Sequence, residues 1–172
     1  LRRQRSDVYK RQFIEELKKQ VSRLLVICNG DVEEEAGKRF SGIADEVMMR
    51  GNEGFDITAY HLGLKKYGYN RDGKFDEVII CNSTMFGPVY PFQEMFEKMA
   101  VRDLDFWGIT NFHEVPFDPF GTVKYGMLPK HVQSFFMVFR KSLTMSPEFQ
   151  KYWENMPQIT CLLYTSDAAD EE

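Results

Sequence analysis

Asp76-Glu77-Val78-Ile79-Ile80-Cys81-Asn82-Ser83-Thr84 enters through two carboxylates, runs through four apolar residues and leaves through three polar ones. A short apolar run with β-branched residues, bounded by polar turn formers, reads as a strand buried on both faces. The pattern on either side is helical. Upstream, Ile57 to Lys66 carries apolar residues at helical spacing, and downstream Pro91 opens a second helix through Phe92, Met95, Phe96 and Met99.

Further out the alternation continues. Phe13, Ile14, Leu17, Val21 and Leu24 recur at helical spacing and feed an apolar strand, Leu24 to Cys28, that stops at Asn29-Gly30. Asp31 can cap a charged helix over Glu33 to Phe40, and Glu46 to Met49 offers a second strand before Gly51. Phe106 to Ile109 reads as another strand, and Asn111 to Pro129 as a long loop rich in Pro, Gly and aromatics. Phe135 to Phe139 follows as a strand, and Ser146-Pro147 starts a helix with Phe149, Tyr152 and Trp153. Strands of near-continuous apolar character alternating with helices predict an α/β fold with a mainly parallel sheet covered by helices on both faces. Ligands then belong at the carboxyl ends of the strands, with Asn29, Asn52 and Asn82 around one crevice.

Both ends of the chain read as foreign to this pattern. Asp7 to Gln12 can be written GAT-GTG-TAT-AAG-AGA-CAG, and the reverse complement, read one base in, spells Cys161 to Thr165. The DNA resembles the transposase tag of sequencing libraries. Residues 1–12 and 161–172 are therefore expected to be adapter read-through, leaving 13–160 as part of one α/β domain, cut short at both ends. The other reading of the front is a basic arm, Arg2, Arg3, Arg5, Lys10 and Arg11, that grips nucleic acid.

The formal charge of the 172 residues is -4, and the interior has no basic cluster. Neutralising nucleic-acid phosphates needs such a cluster, so no nucleic-acid partner is expected. No apolar run approaches the ~20 residues that span a bilayer. Cys28 and Cys81 lie inside apolar runs and read as buried thiols in a reducing compartment.

Polar and small residues gather after each strand: Asn29-Gly30-Asp31, Arg50 to Asp56, Asn82-Ser83-Thr84 and Gly108-Ile109-Thr110. Gly51 and Gly54 can let a backbone approach a diphosphate or adopt positive φ, and Arg50 can make charge-assisted bonds to it; plain turn residues are the alternative. No Gly-x-Gly-x-x-Gly follows the first strand and no phosphate loop ends in Gly-Lys-Ser/Thr, which disfavours a dehydrogenase or nucleotide triphosphatase. His61, His113 and His131 are scattered, and no Gly-x-Ser-x-Gly elbow is present, so zinc sites and hydrolase triads lack support. Asp103 and Asp105 bracket Leu104, a spacing that puts two carboxylates on one side of an extended segment. Trp107 could stack on a sugar or belong to the core.

Several segments taken together resemble one family. They are Arg50-Gly51-Asn52-Glu53-Gly54-Phe55-Asp56, Asn82 to Pro88, Asp105-Phe106-Trp107-Gly108-Ile109-Thr110, His131-Val132-Gln133-Ser134-Phe135-Phe136, and Phe149 with Tyr152-Trp153. In order and spacing they resemble the rhamnan synthesis F family, across nearly all of the interior. The resemblance implies a GT-A-type, Rossmann-like fold and transfer of a sugar, such as rhamnose from a dTDP-rhamnose-like donor, onto a cell-surface polysaccharide or lipid-linked glycan acceptor. It further implies a cytoplasmic protein, at the inner face of the membrane through regions beyond this chain.

Under that resemblance Asn29, Gly30, Arg50, Asn52, Gly54, Asp56, Asn82 and Ser83 would bind the donor. Trp107, Gly108, His131, Gln133 and Ser134 would face the acceptor. GT-A enzymes hold a divalent metal through an acidic motif where the family has Asn-Asp-Ser, and here Ser83 replaces the Asp. A hydroxyl is a poor substitute for a carboxylate, which leaves Mg²⁺ or Mn²⁺ dependence open. The family's general base would lie beyond Thr160, so within the chain Asp105 is the substitute, and the fragment alone is expected to transfer nothing. A non-catalytic nucleotide-sugar or glycan-binding module of a larger synthase is the second reading, and a purely structural domain the third.

Overall fold

The structure is a computed structural model describing residues 2–30, 37, 39–85, 87–119 and 126–156. It divides into two compact units, Leu1–Glu53 with Ser83–Asp103, and Gly54–Asn82 with Leu104–Glu172.

The first unit opens with helix α1, Arg2–Lys18. It starts earlier than the apolar spacing from Phe13 indicates, because the preceding residues contain no Gly or Pro and are rich in good helix formers. Leu17 is its buried contact. Strands β1, Leu25–Asn29, and β2, Glu46–Arg50, pair in parallel, with Leu25 opposite Glu46 and Asn29 opposite Arg50. The charged helix expected over Glu33 to Phe40 falls largely outside the described residues.

Asp45 fixes the entry to this pair. Its carboxylate accepts from the Leu24 N–H at 2.6 Å and from Lys18 Nζ at 2.7 Å. In the same unit Pro91 precedes helix α3, Phe92–Ala100. Phe92 is buried and meets Phe13 edge-on, with ring centroids 5.3 Å apart. Such an aromatic pair adds to the area it buries.

The second unit begins with helix α2, Phe55–Lys66, and a tight turn, Gly68–Asn70. Strands β3, Glu77–Cys81, β4, Phe106–Gly108, and β7, Phe136–Arg140, form a three-stranded sheet in the order β3-β7-β4, antiparallel throughout. Between β4 and β7 lie two short strands, β5, Asn111–Phe112, and β6, His131–Val132, also antiparallel. A bridge between Val115 and Leu128 extends that pairing. Part of the stretch expected as loop, Asn111 to Pro129, is thus hairpin.

Helices α4, Lys141–Thr144, and α5, Pro147–Glu154, close the unit. As Ser146-Pro147 indicates, α5 has Pro at its start and Ser146 Oγ accepting from Phe149 N–H at 3.2 Å. Tyr60, Leu64, Tyr69, Ile80, Phe139, Phe149 and Trp153 make the core.

The expectation of a mainly parallel, GT-A or Rossmann-like sheet is therefore corrected. Among the described residues one pair of strands is parallel, and the other sheets are antiparallel. β3 and β4 do run in the same sense, since both oppose β7, but β7 sits between them. Apolar continuity reports burial on both faces, and a central antiparallel strand has that too: the adjacent residues Val138 and Phe139, which point to opposite faces, are 0% and 8% exposed. Continuity therefore says nothing about direction.

Candidate functional site

In the first unit β1 and β2 run parallel, so both deliver their following residues to one edge. Arg50 Nη1 donates to Asn29 Oδ1 at 2.8 Å, and Arg50 Nη2 donates to the Glu53 carbonyl. Gly30 N–H donates to the Arg50 carbonyl at 2.9 Å, with Gly30 at φ 87° in the left-handed region. Asn29, Gly30 and Arg50 are thus assembled, and Asn52 is exposed beside them in sequence. Ser83 is exposed in the turn after β3 and belongs to the first unit.

Gly54, Asp56 and Asn82 belong to the second unit. No single sheet carries Asn29, Asn52 and Asn82, contrary to the expected arrangement. Gly54, at φ 70°, takes the left-handed conformation in front of α2. That start puts Asp56 in the first helical turn, where the helix dipole favours a carboxylate. Asn82 follows the last residue of β3 and donates from Nδ2 to Asp56 Oδ2 at 2.7 Å.

The backbone next to Asn82 explains why polar groups meet here. Gly108 lies opposite Met137, and Asn111 opposite Val132. Two residues on one side therefore face four on the other, a bulged step that re-aims Gln133, Ser134 and Phe135. The freed carbonyls are satisfied. Asn82 N–H donates to the Phe135 carbonyl at 3.1 Å, Tyr60 Oη donates to the Ser134 carbonyl at 3.0 Å, and Gln133 N–H donates to the Thr110 carbonyl at 3.0 Å. Thr110 Oγ1 is buried there without a hydrogen-bond partner among the described residues. The backbone of Gln133-Ser134-Phe135 is thereby tied, residue by residue, to Thr110, to Tyr60 and to Asn82, and Asn82 in turn to Asp56. Sequence reasoning had Thr110 among the polar residues that follow a strand but missed Tyr60 and the bulge, because a bulge is visible only once two distant strands are in register.

Other expected site residues have different surroundings. Trp107 is 5% exposed and packs on Phe136 with ring centroids 6.3 Å apart, so its face belongs to the core. Gly108 is required by close approach: a Cβ there would overlap Val132 Cγ1 and come within 2.8 Å of the Phe136 carbonyl oxygen. His131 donates from Nδ1 to the Pro129 carbonyl at 2.8 Å and stacks on Phe112 at 5.5 Å.

Asp105 precedes β4, at the other end of the sheet. Its carboxylate accepts from Ser142 Oγ at 2.7 Å, and its carbonyl accepts from Arg140 N–H at 2.9 Å. Arg140, the last residue of β7, and Phe135, just before its first, mark the two ends and are five residues apart, roughly 17 Å at ~3.4 Å per residue. Asp105 and Asn82 therefore do not share a crevice within this unit.

The side chains after β3 do not fit a Mg²⁺ or Mn²⁺ ion. Ser83 offers a neutral hydroxyl, Asn82 is bonded to Asp56, and no three His, Cys, Asp or Glu cluster for a metal among the described residues. Cys28 and Cys81 are free. Burial pushes the Cys81 thiol up to about 12, and burial also raises Cys28, partly offset by Lys10. A thiol raised by burial is a poor nucleophile.

Among the described residues this protein of helices and small sheets has no metal cluster, and its polar side chains gather at the ends of strands in each unit. The family model described as rhamnan synthesis protein F matches residues 24–167, and the chain belongs to that family. Membership implies a part in rhamnan, and so polysaccharide, synthesis. The match runs past Thr160 into the segment expected to be foreign. No curated protein and no solved structure gives a significant match. No helix among the described residues is long and apolar enough to cross a membrane.

Proposed function

We propose that the chain serves a glycosyltransferase that moves a hexose such as rhamnose from a nucleotide-sugar donor to a growing polysaccharide. The observation that carries this reading is the family match over residues 24–167. The polar strand ends support it. Arg50, fixed by Asn29, offers a guanidinium that suits a diphosphate, and Asp56 with Asn82 offers acceptors and donors that suit hydroxyls.

In such a transfer an acceptor hydroxyl oxygen bonds to the anomeric carbon, the carbon–phosphate-oxygen bond breaks, and the nucleoside diphosphate leaves with the electron pair. A base takes the hydroxyl proton and must stand within hydrogen-bond reach of it. Asp105 could do so only at its own end of the sheet, so a transfer beside Asn82 needs another base. The donor is cytoplasmic in this reading, and a lipid-linked acceptor would be met at the inner face of the membrane. Ser83, in place of a carboxylate, favours a second reading, a sugar-binding module without turnover.

Thermal melting with dTDP-L-rhamnose tests the proposal, since a ligand that binds only the native state raises Tm. The chain is expected to be stabilised, and Arg50→Ala to lose about 1.5–3 kcal/mol of binding, the range for a hydrogen bond to a charged group. Absence of stabilisation by dTDP-L-rhamnose and by UDP-glucose would contradict it. Binding without sugar transfer by the full-length protein would favour the binding module.

A further inference from the structure

Asp56 is partly buried at the start of α2, and its hydrogen-bond partner among the described residues is the neutral amide of Asn82, at 2.7 Å. An ionised carboxylate is an acceptor for about four hydrogen bonds, so one amide leaves most of that capacity unused. The pair is held from both sides. Asn82 N–H is tied to the Phe135 carbonyl at 3.1 Å, and Thr58 N–H to the Gly54 carbonyl at 3.2 Å, the bond that sets the first turn of α2. The carboxylate is therefore an acceptor kept in place by neutral donors, with no acidic neighbours to make it a metal site among the described residues.

What such a group binds best is a pair of hydroxyl donors. Hydroxyls on adjacent carbons and on the same side of a ring converge, and two can reach the two oxygens of one carboxylate. We infer that Asp56, oriented by Asn82, is a clamp for a cis-vicinal diol, the chemistry shared by ribose and by rhamnose-type hexoses. This deepens the transferase reading and rests on it. Asp56 is the binding residue and Asn82 the positioning residue.

The test compares affinities for matched pairs of probes by calorimetry. UDP against 2′-deoxyuridine diphosphate isolates the ribose diol. dTDP-L-rhamnose against the same molecule without its sugar 2-hydroxyl isolates the hexose diol, because the thymidine ribose carries no vicinal pair. In one of the two arms the diol-bearing probe is expected to bind at least about tenfold tighter, near the value of one hydrogen bond to a charged group. Asp56→Asn should erase that preference, weakening the diol-bearing probe about tenfold more than the diol-free one. Asp56→Glu, which keeps the charge but moves it, should erase it too, and decides the matter if Asp56→Asn does not fold.

A preference that survives both substitutions, or no preference in either arm, overturns the clamp. If no nucleotide binds at all, the transferase reading falls separately, and methyl α-L-rhamnoside becomes the probe. Rhamnoside binding lost in Asp56→Asn would then uphold the clamp, and rhamnoside binding absent from the native chain or unchanged in the variant would overturn it.

Discussion

Asn70 shows how one side chain can hold a strained backbone. Gly68, Tyr69 and Asn70 all have positive φ, 59°, 55° and 57°, a left-handed turn that costs an L-residue roughly 1–2 kcal/mol. Asn70 is 2% exposed, yet every group on its amide is used. Nδ2 donates to the Phe75 carbonyl at 2.7 Å and to Thr144 Oγ1 at 2.9 Å, and Oδ1 accepts from Phe75 N–H at 2.9 Å. Gln150 continues the network by donating to the Tyr69 carbonyl at 3.0 Å. Asn70→Ala should destabilise by about 2–4 kcal/mol in urea unfolding, from stranded buried partners plus backbone strain. Asn70→Gly, which relieves the strain alone, should cost less; equal losses would show that strain is not part of the account. Asp45 makes a different prediction. The Lys18 side-chain bond, then the Leu24 N–H, hold its carboxyl below the usual carboxylate range. Its folded pKa lies below the unfolded one, so its contribution is full above about pH 4, the unfolded value, and fades as pH falls through the folded pKa. Asp45→Asn should therefore lower stability near neutrality and flatten the acid side of the stability–pH curve. An acid limb as steep as that of the native chain would contradict this.

Elements were more legible than their pairing. The strands at β1, β2, β3, β4 and β7, and the helices α2, α3 and α5, stand within a residue or two of where periodicity indicates. Sheet direction was not legible, because it depends on β7 pairing with β3 from far along the chain: Glu77 meets Arg140 and Cys81 meets Phe136. Short strands β5 and β6 escaped for a related reason, since two residues carry no period. Candidate residues at strand ends, Asn29 and Asn82, could be named from sequence, and the resemblance pointed to Gln133 and Ser134; the bulged step that they form with Phe135 could not be read. Gly108 lets that step form. Gly108→Ala should cost about 1–3 kcal/mol, the range for overpacking, because the new methyl meets Val132 and the Phe136 carbonyl. Adding Val132→Ala should recover part of the loss, measurable as a double-mutant cycle; strict additivity would place the strain elsewhere.

At the scale of the whole molecule the two units differ in how their strands are supported. β7 is hydrogen-bonded on both edges and supplies Phe136 and Val138, each 0% exposed, whereas β1 and β2 pair only with each other among the described residues. Protection from amide exchange follows such differences in local opening, so Phe136–Arg140 should exchange about an order of magnitude more slowly than Glu46–Arg50. Equal protection would show that the parallel pair is as firmly held as the antiparallel sheet.

The central claim is that a hydroxylated ligand meets the second unit where Asp56, Asn82, Gln133 and Ser134 converge, at the sheet end away from Asp105. Amide chemical shifts recorded during a titration with dTDP-L-rhamnose test this most directly. The account predicts concentration-dependent shifts at Asp56, Asn82, Gln133 and Ser134, with Glu77, Asp105 and Arg140 unmoved. Shifts centred on Asp105 and Ser142, with the bulge silent, would contradict it.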